Sequence, residues 1–374
     1  MRLISLQENL KRGLNIVGHL TAKNINLPIL NNVLIKAEGG NIELISTNLE
    51  IGIVYQLRGK IEAEGRITVD SKLITEYINL LSNGEKVKIE EKNEEIKVEC
   101  GSYKTKIKGE SAKEFPLIPV IAKNNYYSCR VEEFKKALNS VIFAVSTSEN
   151  RAELTGVSFC FNNNKLSLAA TDSYRLAEKE INLSNSGPAE EYKIIVPAKT
   201  AQEFLRILNN LEGGGSAEEQ DLKIYLADNQ ILFTVDSVDF ISRLINGHYP
   251  DYKQIIPVKS QTDILVERAE LIRAIKAAAL FSKAGINDVT MVFSKNKITV
   301  SAFSGASGES QIEVEADIVG IDNEITVNYR YLIDGLNNIE SERVKVSVLN
   351  NNTPCLLKPE KEDGYLYIVM PIRQ

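Results

Sequence analysis

The feature that most limits how this chain can fold is that it repeats itself. Once per roughly 130 residues, the length of an ordinary domain, the same two helix-like segments return. The first is apolar-periodic and basic: Leu10-Lys11-Arg12-Gly13-Leu14, Phe134-Lys135-Lys136-Ala137-Leu138 and Leu271-Ile272-Arg273-Ala274-Ile275. The second reads as a helix opened by a valine: Val69-Asp70-Ser71-Lys72-Leu73, Val196-Pro197-Ala198-Lys199-Thr200 and Val327-Asn328-Tyr329-Arg330-Tyr331. A cation holds the same place in every copy: Arg12, Lys136 and Arg273 in the first helix, Lys72, Lys199 and Arg330 in the second. Core packing accounts for repeated apolar positions but not for a repeated charge. The repeat points to one positive surface built three times.

The repeat divides the chain into residues 1–123, 124–250 and 251–374. Alternating segments such as 33–37, 42–45, 155–161, 166–171, 289–294, 298–302 and 344–348 read as half-exposed antiparallel strands. A hairpin is expected from 86–90 and 95–100, with Lys92-Asn93 at its turn. The second helices are expected over 71–81 and up to Leu211. Gly213-Gly214-Gly215-Ser216 looks like a flexible linker, but the repeat register makes it a lengthened helix-to-strand loop before a strand at 222–226. Each unit is two helices plus several antiparallel strands, an α+β class, with both helices on one face of the sheet.

The chain has 374 residues, 43% of them hydrophobic and 25% charged, an ordinary globular composition. No apolar run approaches the ~18 residues of a membrane span, and residues 1–15 lack the apolar block of a signal peptide. A cytoplasmic location without membrane contact is expected. The net charge of −6 argues against a uniform nucleic-acid coat, yet an acidic exterior can coexist with a basic channel. Cys100, Cys129, Cys160 and Cys355 lie far apart in strand-like sequence, so they read as buried small hydrophobes rather than zinc or redox groups.

A search for chemistry finds little. His19 and His248 have no partner spacing and read as structural. No phosphate-cradling glycine motif and no nucleophile elbow is present, and no carboxylate cluster suits a metal. Neither a cofactor nor a metal is expected. Glu90-Glu91 with Glu94-Glu95 reads as a solvated hairpin tip. Two segments stand out. Thr171-Asp172-Ser173-Tyr174-Arg175-Leu176-Ala177 leaves one strand and enters another; it is either a plain strand-end turn or a functional loop. Residues 365–373 stay apolar almost to the end, so they are either a core strand ending flush or the lining of a groove, with Met370 to Ile372 the better groove candidates.

These pieces together resemble the β-subunit family of bacterial DNA polymerase III, the sliding clamps. The resemblance is carried by Leu27-Pro28-Ile29-Leu30 with Asn32, by residues 171–177, by Tyr249-Pro250-Asp251-Tyr252 and by Val369-Met370-Pro371-Ile372-Arg373. It covers the whole chain. It implies three clamp domains with the boundaries above, and a homodimer closed head to tail into a ring with helices lining the hole. It implies no catalysis. Double-stranded DNA would be held without sequence readout, by Arg12, Lys23, Lys72, Lys136, Lys199, Arg206, Arg273 and Arg330. Implied partners are the DNA polymerase III alpha subunit, the clamp loader and other proteins with clamp-binding peptide motifs.

The resemblance also implies a peptide pocket. Its apolar positions here are Leu154, Leu176, Pro250, Ile255, Ile368 and Met370. Arg175 and Arg373 are expected at the rim, ready for carbonyls or acids. Arg151, Thr171, Ser173 and Tyr174 complete one side; Asn328, Tyr331, Pro371 and Ile372 complete the other. The turn commonly Asp-Gly-His-Arg in the family is Asp172-Ser173-Tyr174-Arg175 here. Gln254 replaces a basic residue, Ile372 a methionine, and Asn24 a DNA-contacting arginine for which Lys23 substitutes. At the dimer seam, Lys104, Lys106 and Ile107 are expected to meet Leu280 and Phe281. The acidic side is thin, with Glu309 nearest, so a mainly apolar seam is expected. Two other readings stay open on the residues alone. A DNA-modifying enzyme would need a catalytic cluster; a peptide-only adaptor would carry its basic helices incidentally.

Overall fold

The computed structural model describes residues 1–20, 27–187, 191–211 and 220–373. Six α-helices occur among them: α1 (Gln7–Val17), α2 (Ser71–Asn79), α3 (Val131–Ile142), α4 (Ala198–Leu211), α5 (Arg268–Ala279) and α6 (Tyr329–Asn337). The strand pairings among the described residues are antiparallel, so the α+β expectation holds. The expected Gly213–Ser216 loop lies outside the described residues, but the strand after it is present as Asp221–Ala227.

The chain forms two compact units. The first comprises Met1–Glu132, Ser184–Pro188 and Gln202–Leu244; the second comprises Glu133–Leu183, Ala189–Ala201 and Ile245–Gln374. Each is organised around one continuous antiparallel sheet, of fourteen strands in the first and twelve in the second. The middle repeat contributes to both sheets. In the first unit its strand Val238–Arg243 pairs with Ile51–Gln56 of the opening repeat, Val238 facing Tyr55 and Ser242 facing Ile51. In the second unit its strand Arg175–Asn182 pairs with Tyr365–Val369 of the closing repeat, Arg175 facing Val369. The three-part pattern in the sequence and the two-part packing are both real, because sheets continue across repeat boundaries.

Helix periodicity explains which faces are covered. α1 buries Leu10, Gly13, Leu14 and Val17, the spacing of one helical stripe. It lies on strands Asn41–Thr47 and Ile51–Gln56 and against α2; α5 packs against α6 in the same way. Gly13 is a close-approach position, since a Cβ there would sit 2.7 Å from the Tyr55 ring. Aromatic side chains fill the cores. Phe204 stacks on Phe233 at 4.3 Å and meets Phe240 at 5.1 Å in the first unit, and Phe134 meets Phe159 edge-on at 5.9 Å in the second. Each such buried side chain contributes about 2–3 kcal/mol by removing apolar area from water. All four cysteines are free and buried.

Several local expectations need correction. The valines do not open the second helices. Val69, Val196 and Val327 are fully buried near the ends of the preceding strands. The helix begins two residues later, behind Pro197 in α4 and behind a polar cap in the other two, where Asp70 accepts from the Leu73 N–H at 2.7 Å and Asn328 from the Arg330 N–H at 2.9 Å. Each first helix is also preceded by a short strand that periodicity did not reveal: Arg2–Leu6, Tyr127–Arg130 and Thr262–Glu267. The acidic run is not simply a solvated tip. Glu90 and Glu91 lie within a strand, and Glu90 takes the Arg2 guanidinium at 2.8 Å. The turn itself is Asn93-Glu94, both at positive φ.

Candidate functional site

The turn at Thr171 is built by its own side chains. The Thr171 hydroxyl donates to the Arg175 carbonyl at 2.6 Å and accepts from the Ser173 N–H at 3.1 Å. Asp172 Oδ1 accepts from the N–H groups of Tyr174 at 3.0 Å and Arg175 at 3.1 Å. Ser173 takes φ of 80°. The Tyr174 carbonyl then accepts from the Met370 N–H at 2.9 Å, which brings the end of the chain alongside.

The same device occurs in the first unit. Thr47 Oγ1 donates to the Ile51 carbonyl at 2.8 Å and accepts from Leu49 N–H at 3.0 Å. Asn48 Oδ1 accepts from Glu50 at 3.0 Å and Ile51 at 2.7 Å, and the Glu50 carbonyl takes the Arg243 N–H at 3.0 Å. Leu49 has φ of 74°. A Thr followed by Asx thus closes the corresponding turn in two of the three repeats, while the third has Ser304-Gly305 at that place. What differs between the copies is the set of side chains each turn presents.

In the second unit that set is aromatic and basic. Tyr174 is 63% exposed and stacks on Tyr331 with centroids 6.3 Å apart. The Arg175 guanidinium lies 4.8 Å from the Tyr331 ring centroid and 5.5 Å from that of Phe143. Arg175 also reaches Asp172 at 2.9 Å, Asp334 at 2.6 Å and the Phe143 carbonyl at 2.9 Å. This corrects the rim expectation: Arg175 is an internal tie, with each of its three guanidinium nitrogens already donating one hydrogen bond. Arg373 is exposed, and Arg151 bonds Ser173 Oγ at 3.2 Å.

The apolar floor is also closed. Leu176 and Ile368 are fully buried and Leu154 nearly so. Leu176 and Ile368 cluster with Ala169, Leu356 and Tyr252, backed by Tyr249, Ile256 and Leu366. Tyr252 donates to Glu178 at 2.5 Å, and Tyr249 accepts from the Thr171 N–H at 3.0 Å. Burial, reinforced by Glu178, pushes the Tyr252 hydroxyl far above its ordinary value, so it remains a donor. Sequence reading missed Leu356, Tyr249 and Tyr252 at this place; only the Tyr249-Pro250-Asp251-Tyr252 motif hinted at two of them. Met370, Pro371 and Ile372 are half-buried. Pro371 bridges to Val327, and Ile372 N–H donates to the Thr326 carbonyl at 2.8 Å. Asn328 caps α6, Pro250 is half-buried, and Ile255 is 42% exposed.

The repeated cations separate into two kinds. Lys72, Lys136, Lys199, Arg273 and Arg330 are exposed on their helices. Arg12 and Arg206 are tied inside the first unit. Arg12 Nη2 donates to the Leu211 carbonyl at 3.1 Å, at the end of α4, and lies 3.5 Å from Asp236. Arg206, on α4, donates to the Asn15 and Ile16 carbonyls at 3.2 and 2.7 Å, at the end of α1. Each arginine meets the negative end of the other's helix. Lys23 and Asn24 lie outside the described residues.

Besides the end strands of the two sheets, two strands leave part of an edge unpaired among the described residues. Strand Tyr103–Glu110 pairs with Glu95–Cys100 along residues 103–108, and with Gly65–Asp70 only at Gly109 and Glu110. Strand Gly308–Gly320 pairs with Lys297–Ser304 along 308–315 and with Thr262–Glu267 beyond. The first free edge carries exposed Lys104, Lys106 and Lys108; the second carries exposed Glu309, Glu313 and Glu315. The acidic side is fuller than expected. Ile107 is a correction: it is 5% exposed and its side chain is unavailable to a seam. Leu280 is 77% exposed, and Phe281 is half-buried.

Comparison with known proteins decides the family. The N-terminal, central and C-terminal domain profiles of the DNA polymerase III beta subunit match residues 1–119, 129–251 and 253–373. The beta sliding clamp of Staphylococcus aureus is 30% identical over 359 residues, 93% of this chain and 92% of that one. The chain belongs to the DNA polymerase III beta-subunit family. Among solved structures, the DNA polymerase sliding clamp of Bacillus subtilis has a TM-score of 0.91 at 27% identity, covering 100% of this chain and 99% of that one. The DNA polymerase III beta subunit of Thermotoga maritima has a TM-score of 0.89 at 26% identity, with the same coverage. The chain is thus a sliding clamp with three clamp domains, a processivity factor rather than an enzyme.

Proposed function

We propose that this clamp closes head to tail with a second copy around double-stranded DNA and tethers the replicative polymerase there. The observation that carries the reading is the exposed cation at the second position of α2, α4 and α6: Lys72, Lys199 and Arg330. Lys136 and Arg273 extend the set, and Lys23, outside the described residues, is counted with them in this reading. Arg12 and Arg206 contribute mainly by holding α1 to α4. Cations without a base-reading geometry favour phosphate attraction that permits sliding. The three clamp domains divide near residues 123 and 250, close to the family profile limits.

The dimer seam joins the lysine edge at 103–108 to the glutamate edge at 308–315 of the other copy. Two internal precedents support this, because the strand pairs Val238–Arg243 with Ile51–Gln56 and Tyr365–Val369 with Arg175–Asn182 already join successive repeats. Unpaired edges of opposite charge supply ladder hydrogen bonds and complementarity together. Leu280 and Phe281 add apolar contact.

Partner peptides dock beside the Thr171 turn, against Ser173, Tyr174, Tyr331 and the half-buried Met370-Pro371-Ile372. Arg151 and Arg373 flank the site, and Pro250 and Ile255 extend it. The polymerase alpha subunit, the clamp loader and other carriers of clamp-binding motifs are the partners of this reading, at a cytoplasmic location. Among the described residues no helix is long and apolar enough to cross a membrane.

The test is retention on DNA. The chain, loaded by a clamp loader onto a nicked circle, is expected to stay bound and to leave when the circle is cut open. Equal loss from circular and linear DNA would count against encirclement.

A further inference from the structure

The second helix of every repeat carries an acid at its sixth residue: Glu76 in α2, Glu203 in α4 and Asp334 in α6. Two of these are met by a basic side chain from the preceding repeat. His19 Nδ1 lies 2.8 Å from Glu203 Oε2, inside the first unit. Arg175 Nη1 lies 2.6 Å from Asp334 Oδ2, inside the second. Glu76 is different. Its side chain is 65% exposed, and its ion-pair partner among the described residues is Lys72 of its own helix, 3.9 Å away. Three repeats in one chain make two junctions. The third junction, into the opening repeat, exists only when the closing repeat of another copy arrives.

We propose that Glu76 is a dimer-junction residue that binds the ammonium of Lys283 from a second copy of this chain. The inference rests on the head-to-tail dimer described above. In the first junction the basic group comes from just past the first helix, since α1 ends at Val17 and His19 follows. The matching stretch past α5 is Leu280-Phe281-Ser282-Lys283, whose first cation is Lys283. Lys283 is exposed, and its bond to Asp288 runs from the main-chain N–H at 3.1 Å and not from the ammonium. It lines a cavity of about 590 Å³ with Asp288, Phe303 and Glu309, over paired strands Asp288–Ser294, Lys297–Ser304 and Gly308–Gly320. Apolar exposure matches on the two sides: Leu73 at 51% and Leu80 at 79% on and just after α2, Leu280 at 77% and Phe303 at 60% near Lys283. Covering these side chains excludes water from the ion pair and strengthens it.

Sedimentation of the full chain over a dilution series, with subunit exchange between labelled dimers, tests the contact. The variants are Glu76→Lys, Lys283→Glu and the double exchange, each checked for an unchanged melting transition. Each single variant is expected to raise the dimer dissociation constant about tenfold or more. The double exchange is expected to restore it to within about threefold of the parent. Glu76→Lys dissociating like the parent would overturn the proposal, and so would a double exchange as weak as the singles. A parent chain that is monomeric throughout would instead remove the dimer itself, and this contact with it.

Discussion

Arg175 lies between two aromatic rings and reaches two carboxylates and a main-chain carbonyl, with a side chain 12% exposed. Its type and place were legible in the sequence, through the motif of residues 171–177. Its role was not, because Asp334 lies 159 positions away and nothing local predicts that meeting. Removing a half-buried charge leaves its partners unpaired. Arg175→Ala is expected to lower the stability of the second unit by about 3 kcal/mol, read as a shifted urea midpoint with unchanged slope. The cysteines were read correctly from their apolar neighbours. Burial pushes the Cys355 thiol up to about 12, so thiolate is scarce at mildly alkaline pH. Cys355 is expected to resist alkylation until the protein unfolds; rapid labelling of the native chain would contradict its burial.

At the scale of elements, hydrophobic alternation found most strands, and the repeat register placed strand Asp221–Ala227 after the Gly/Ser run, which itself lies outside the described residues. It failed at the entry strands, which run straight into the first helices, and at the second-helix starts, where a buried valine still belongs to the strand. The duplicated Thr-Asx turn gives a prediction at this scale. Thr47→Val and Thr171→Val each remove one hydroxyl that both donates and accepts. Each is expected to cost about 1–2 kcal/mol, measured by chemical denaturation. Only Thr171→Val should weaken binding of a fluorescent peptide carrying a polymerase clamp-binding motif. Equal loss of peptide binding in both variants would mean that the turn contributes through stability alone.

At the scale of the whole molecule, function depends on charge distribution rather than net charge. Lys72→Glu, Lys199→Glu and Arg330→Glu together are expected to abolish retention on circular DNA. Single neutral variants should flatten the salt dependence of binding by about 0.9 in log–log slope for each phosphate that is no longer neutralised. An unchanged slope would reassign those cations to the outer surface. Lys136→Ala should follow the same rule. Arg12→Ala should act differently, since its guanidinium already holds the end of α4; its expected effect is on unfolding of the first unit.

The amino-acid sequence determined the fold class, the three-part organisation and the family, because periodicity and repeat register are local patterns that survive divergence of individual residues. It also marked the cations, since a repeated charge has no packing explanation. Tertiary structure decided which cations remain exposed, which side chains around the Thr171 turn are buried and which are exposed, and which strand edges stay open. Those outcomes depend on residues scores of positions apart meeting across a sheet or a helix end. Burial and hydrogen-bond partnership are properties of that meeting, and no stretch of sequence contains them.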